Sequence, residues 1–243
     1  MTRSEPDPQP TDQRQVDSSS EELSAAEVFA QLALELHDAK GLEETVEAVV
    51  DFALQAEACT YAGVMLIARG IREVGAVTDP VVAEIIQFQL DRGEGPILSA
   101  LAEGAAVSVP DITAETRWPG ITERVGSYGI GSALHVPLWL DVQLLGVLSL
   151  FNLKPNAFDV DDEAIAHILA RHASVAVANA RDGETMTAAV DARKLVGQAM
   201  GILMERYDLD SDRAFAVLRT YSQETNTKLR DVAQQLIDNR TLH

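Results

Sequence analysis

The side chains of this 243-residue chain that could do chemistry gather near its end. Asn226, Thr227, Lys228 and Arg230 stand almost side by side. Arg219 lies just before them, and Arg193, Lys194 and Gln198 lie further upstream. Basic and amide side chains can engage the phosphates and polar edges of a partner. They can equally cap helices and solvate a face, and residue type alone leaves both readings open. Bond-breaking constellations do not occur. There is no Gly-x-x-x-x-Gly-Lys loop, no Gly-x-Ser-x-Gly elbow and no His-Glu-x-x-His. His37, His135, His167, His172 and His243 show no metal spacing; His167 and His172 are five apart, which is unfavourable for two ligands on one helix face. Cys59 is the only cysteine and reads as a small apolar side chain. No catalytic residue, metal or cofactor is expected.

The bulk numbers constrain the partner. Net charge is −19, which taken whole opposes nucleic acid. The charge is uneven, however. Residues 184–243 hold eight basic and nine acidic side chains, a net of −1, and the remainder carries −18. A lone cysteine suits a reducing cytoplasm. The first twenty residues, rich in Pro, Asp, Gln and Ser, read as a disordered tail without a signal peptide. No apolar run reaches the ~20 residues of a membrane helix. The expectation is a soluble cytoplasmic protein.

Periodicity supplies the elements. A helical stripe from Glu21 runs through Ala25, Phe29, Leu32 and Leu36 to a break at Gly41. A second helix spans about Leu42 to Glu57. Tyr61 to Ala68 and Ile71 to Val77 form a hairpin around Arg69-Gly70. Helices follow at about Pro80 to Leu90 and Ile97 to Ala102, with Gly93 and Gly95 as turn glycines between them. A short strand, Ala106 to Val109, precedes an irregular stretch from Asp111 to Gly131. Ser132 to Leu140 and Gln143 to Phe151 make a second hairpin, and Asp161 to Ala180 a helix. Tightly joined strands with packed helices indicate an antiparallel α+β domain.

Several segments, in order and spacing, resemble the GAF domain. They are Gly93-Glu94-Gly95-Pro96, Val107 to Ile112, Arg117-Trp118-Pro119, Tyr128 to Leu138, Leu145 to Leu150 and Ala157-Phe158-Asp159. The resemblance covers about Ala25 to Ala180 and implies a sensor module on a six-stranded antiparallel sheet. Family members bind cyclic nucleotides, tetrapyrroles or other small molecules, so a small-molecule ligand of unidentified kind is implied. Asn152, Lys154, Phe158, Asp162 and Glu163 echo a cyclic-nucleotide motif of the family, but Asn and Lys are not adjacent. Phe158 reads as a core anchor, and Asp162 and Glu163 as first-turn acids.

The last sixty residues are helical throughout. One helix ends near Tyr207, a second runs from about Ser211 to Glu224 behind Asp210 as N-cap, and a third from Lys228 to Asp238 behind Thr227. Ala214, Phe215, Leu218 and Tyr221 are expected inward. Val196 to Ala199, Gly201 to Met204, Ala214-Phe215, Leu218-Arg219, Ser222 and Asn226 to Ala233 resemble the ANTAR domain, a three-helix RNA-binding module. Where that family often has a lysine between the Ala and Gly of its first helix, this chain has Met200. The resemblance implies RNA contact by Arg193, Lys194, Gln198, Arg219, Asn226, Thr227, Lys228 and Arg230. It further implies transcription antitermination on leader-RNA stem-loops. A DNA-binding regulator, or a protein-interaction module without nucleic acid, are the other readings.

The expected domains are 1–20 (tail), 21–183 (sensor) and 184–243 (RNA-binding). Two seven-residue repeats cross the last boundary. One is Ile165, His172, Asn179, Met186, Arg193 and Met200; the other is Ile168, Val175, Asp182, Ala189, Val196 and Leu203. Such repeats suit a two-stranded seam. The expectation is a homodimer in which Phe29, Leu32 and Leu36 pack with the Asp161 to Ala180 helix across the two-fold axis, with residues 181–187, interrupted at Gly183, as a switchable junction.

Overall fold

The computed structural model describes residues 30–56 and 59–239. Residues 30–38 are helical (α1), and Gly41, at φ 91°, turns the chain into α2 (Leu42–Ala56). The expected tail, Ala25, Phe29 and Arg240 lie outside the described residues. The first hairpin is β1 (Tyr61–Ala68) and β2 (Ile71–Val77). Its turn needs two left-handed residues, Arg69 at φ 52° and Gly70 at φ 81°, which is the geometry that matches strand twist in two-residue hairpins. Next come α3 (Pro80–Arg92), α4 (Pro96–Glu103) and β3 (Val107–Val109). Gly93, at φ 70°, ends α3 with its N–H on the Gln89 carbonyl, and Gly95, at φ 134°, caps α4. A Cβ at Gly95 would collide with the Gln89 side chain.

The stretch expected to be irregular contains α5 (Pro119–Gly126). Pro119 supplies the first-turn proline, and Ile121 and Val125 the buried line, but Gly120 and Gly126 at its ends mask the signal. β4 (Ser132–Leu140) and β5 (Gln143–Asn152) complete an antiparallel sheet of order β2-β1-β5-β4-β3. The sheet has five strands among the described residues, not the six expected.

Side chains alternate across this sheet, and both faces are covered. Leu134, Val136 and Leu138 of β4 join Leu32, Phe52, Val64 and Leu148 in one core with the α6 residues Leu169, Ala173 and Val177. Ala133 of β4 joins Met65, Ile85, Ile97, Ile121, Val147 and Phe151 in the other. Leu32 is fully buried and Leu36 packs on the same core. The Leu32 side chain is therefore spent within the domain and is not available to the seam expected of it.

The helix α6 (Val160–Tyr207) runs 48 residues without a break. The expected interruption at Gly183 does not occur. One helical glycine costs only about 1 kcal/mol against alanine, and no proline or cap follows it. After α6 come α7 (Ser211–Glu224) and α8 (Leu229–Asn239). The chain divides into two compact units between Ala180 and Arg181. The second has its own core of Ala199, Leu203, Ala214, Leu218, Val232, Ala233 and Leu236.

Candidate nucleic-acid interface

Three helices position the expected contact residues. On α6 the inner line passes through Ala199 and Leu203, so Arg193, Lys194, Gly197, Gln198 and Gly201 face away and are exposed. A Cβ at Gly197 or Gly201 would meet nothing, which leaves a flat, open strip beside the two cations. On α7 Asp210 is the N-cap, its carboxylate accepting from the Arg213 N–H at 2.8 Å. Ala214 and Leu218 then point inward. Arg219 is exposed one position beyond Leu218. Phe215, expected inward, stands one position off the buried line and is 39% exposed.

The turn between α7 and α8 is closely wired. Thr225 N–H bonds the Tyr221 carbonyl at 3.0 Å, and Ser222 Oγ donates to the Thr227 carbonyl at 2.6 Å. Asn226 takes the left-handed conformation, φ 50°, which Asn tolerates better than most residues. The cap of α8 differs from expectation. The Lys228 carbonyl accepts from Asp231 and Val232, so Lys228 holds the cap position. Thr227, half-buried, instead donates its hydroxyl to the Thr225 carbonyl at 3.3 Å. Lysine has no side-chain acceptor to offer the first N–H groups of α8, and Lys228 is exposed.

The cations differ in how they are held. Arg230 Nε donates to Asp231 Oδ1 at 3.0 Å. Arg193, Lys194, Arg219 and Lys228 have no ion pair or hydrogen bond among the described residues. Four unpaired cations on a unit of nearly zero net charge leave positive charge available to an anionic partner.

The first unit holds different features. The residues echoing a nucleotide motif have local tasks. Asn152 Oδ1 accepts from the Lys154 N–H at 2.8 Å, and Phe158 packs on the core. Asp159 and Asp162 form a reciprocal cap at the start of α6. Asp159 Oδ1 accepts from the N–H groups of Asp161 and Asp162, and Asp162 Oδ2 accepts from the Asp159 N–H. Those backbone bonds, the one from Asp162 foremost, hold the Asp159 carboxyl below its usual range. Cys59 is half-buried against the core, its Sγ 3.5 Å from the Ala53 carbonyl. No group of three metal-binding side chains occurs among the described residues. No described helix is long and apolar enough to cross a membrane.

Two buried polar groups were given no role of their own from the sequence. His135 on β4 is fully buried, with Nδ1 3.0 Å from Ser149 Oγ and its ring edge-on to Phe151. Burial pushes its pKa down to about 3. Gln89 on α3 accepts the Ile97 N–H at 3.0 Å. Nε2 of each has no hydrogen-bond partner. The available signal was a polar residue inside an apolar run, Leu134-His135-Val136.

Comparison with known proteins follows the same division. The GAF domain model matches residues 39–178, and the ANTAR domain model matches 184–237. No curated protein matches the sequence. Among solved structures, the chain is similar to the free methionine-R-sulfoxide reductase of Neisseria meningitidis in complex with its substrate. Identity there is 19%, the TM-score 0.52, and coverage 65% of this chain and 91% of that one. It is also similar to the GAF domain of a phosphoenolpyruvate-protein phosphotransferase from Coxiella burnetii (19%, TM-score 0.54, 67% and 98%). A third is the phytochrome photosensory core module of Stigmatella aurantiaca (15%, TM-score 0.57, 82% and 44%). At these identities the likeness is one of fold alone. The antiparallel sheet covered on both faces, with the matched span, makes this chain a member of the GAF domain family that carries an ANTAR domain after it.

Proposed function

We propose that the chain is a signal-responsive RNA-binding regulator that acts by transcription antitermination on leader-RNA stem-loops. The observation that carries this reading is the ANTAR match over 184–237 on a unit with four unpaired, exposed cations. In this reading residues 21–183 are the sensor domain and 184–243 the RNA-binding domain, in a homodimer working in the cytoplasm. RNA contact falls to Arg193, Lys194, Gln198, Arg219, Asn226, Thr227, Lys228 and Arg230. No bond chemistry is needed: binding one RNA fold in preference to another shifts their populations. In this reading the signal is a small molecule held by the GAF domain.

Binding measured against leader-RNA stem-loops and duplex DNA across a salt series tests the reading. RNA should bind more tightly at every salt concentration, with log affinity falling linearly with log salt. Equal binding to duplex DNA favours a DNA-binding regulator. A second reading, a protein-interaction module, draws on the −19 net charge and on Met200 in place of a basic residue; absence of RNA binding at low salt favours it. Crosslinking and sequencing of RNA held by the protein in cells would identify the target.

A further inference from the structure

A groove of about 520 Å³ opens between α6 and α7 in the second unit. Met200 of α6 forms one wall. The other is a single face of α7, where Phe215, Arg219 and Gln223 follow at intervals of four, with Thr220 beside them. The groove is odd for a water-facing surface. Phe215 keeps 39% of its surface exposed although the core of this unit lies one residue away. The guanidinium of Arg219 and the side-chain amide of Gln223 have no partner among the described residues. The sequence suggested a buried Phe215 and assigned Gln223 nothing.

We infer that this groove is a subsite for one unstacked nucleobase of a single-stranded RNA loop. The inference rests on the RNA-binding reading and adds to it residues not otherwise assigned. Sequence-specific RNA recognition takes splayed-out bases, stacks them on aromatic rings or guanidinium planes, and bonds their edges. Phe215 and Arg219 supply those two planar groups on one helix face. Gln223 and Thr220 supply donors and acceptors for a base edge. Met200 closes the far side with a soft apolar surface that a charged lysine would not offer. Charge separates base from phosphate here. Asp212 lines the groove together with Arg219, so the lining carries no net positive charge, and a phosphate gains little from it. The phosphates are left to Lys228, Arg193 and Lys194, which lie outside the lining.

The test uses the full chain and a pool of RNA hairpins with randomised loops, enriched for binding to it. Blunt duplexes of the same stem are the control. Phe215→Leu keeps apolar volume and removes the flat ring; Phe215→Ala removes both; Phe215→Tyr keeps the ring. Stacking of one base on an aromatic ring supports a loss of about tenfold in hairpin affinity for the Leu and Ala variants. Tyr should retain affinity, and duplex binding should not move. Lys228→Ala should weaken hairpin and duplex alike. Hairpin affinity unchanged in Phe215→Leu and Phe215→Ala overturns the subsite and leaves RNA binding standing. Equal loss for hairpin and duplex, or a change of oligomeric state in Phe215→Leu, also overturns it. Failure of the unaltered chain to enrich any hairpin at low salt overturns both the subsite and the RNA-binding reading.

Discussion

His135 and Ser149 form a hydrogen-bonded pair inside the sheet core, and the arrangement fixes how stability responds to acid. Burial holds the folded pKa at about 3, against 6.5 for a free histidine. Below pH 6.5 the unfolded chain gains a proton that the folded chain refuses. Stability from this group is therefore complete above pH 6.5 and is lost as pH falls towards 3, at about 1.4 kcal/mol per pH unit. Urea unfolding of the intact chain across that range should show the slope, and the double variant His135→Leu/Ser149→Ala should flatten it. The single variant His135→Leu strands the buried Ser149 hydroxyl and should be less stable than the double by about 1 kcal/mol or more. A slope unchanged in the double variant would mean that another group governs the acid limb. At the other end of the chain, Asn226 separates a structural role from a contact. Its φ of 50° suits glycine, so Asn226→Gly should leave the melting temperature nearly unchanged. If the amide touches RNA, affinity should still fall several-fold. Lys228→Ala, by contrast, should lower the salt slope by about one. Unaltered RNA affinity in both variants would remove the turn from the interface.

At the scale of elements, what the sequence revealed depended on how strongly each segment signals its own ends. The two hairpins carry apolar runs against tight turns, and their strands lie where the runs do. The α7 helix is framed by Asp210 and by a turn of small polar residues, and its bounds were legible to the residue. Short α5 was hidden because Gly120 and Gly126 occupy its ends. Continuous α6 was hidden because Gly183 looks like a break, although the penalty of one glycine is small beside a long run of helix formers. The exposed cations Arg193, Lys194, Arg219 and Lys228 were readable from residue type, whereas the pairing of Arg230 with Asp231 and the partial burial of Thr227 were not. The groove was not. Whether Phe215 points inward or lies beside the inner line depends on how α6 and α7 meet, and periodicity does not record that. Caps are the part of this logic open to direct measurement. Asp210→Ala leaves the Arg213 N–H without its carboxylate and should cost about 1 kcal/mol in chemical unfolding followed by helix signal. Asp210→Asn should recover most of it. The salt bridge from Asp210 to Arg213, at 3.5 Å and exposed, should contribute little. A loss in Asp210→Asn as large as in Asp210→Ala would assign the effect to charge instead.

At the scale of the whole molecule, the proposed homodimer needs an exposed apolar surface. The helix α6 carries one. Ile168, Val175, Met186 and Val190 are 44%, 50%, 72% and 57% exposed, which is unusual for four large apolar side chains on one helix. With His172, Asn179 and Gly183 they form a single stripe. The intervals along it are four, three, four, four, three and four. That is an eleven-residue phase rather than a strict seven-residue one, and such a phase unwinds a left-handed supercoil. A seven-residue phase would put Asp182 in the seam, opposing its own copy; the eleven-residue phase puts Gly183 there. His172 and Asn179 remain as polar layers that fix register. The proposed dimer thus runs through this stripe, with Leu32 left in the domain core. Val175→Glu places a charge in the seam at a half-exposed position, where the fold itself should tolerate it. Sedimentation equilibrium should show the unaltered chain dimeric at micromolar concentration and Val175→Glu monomeric, both with the same helix content. Oxidative crosslinking in a Cys59→Ser background then reads the phase. Cysteine at position 175, 183 or 186 should join two copies faster than cysteine at 182. A monomeric unaltered chain sinks the dimer outright. Faster joining through position 182 than through 183 keeps the dimer and restores the seven-residue register.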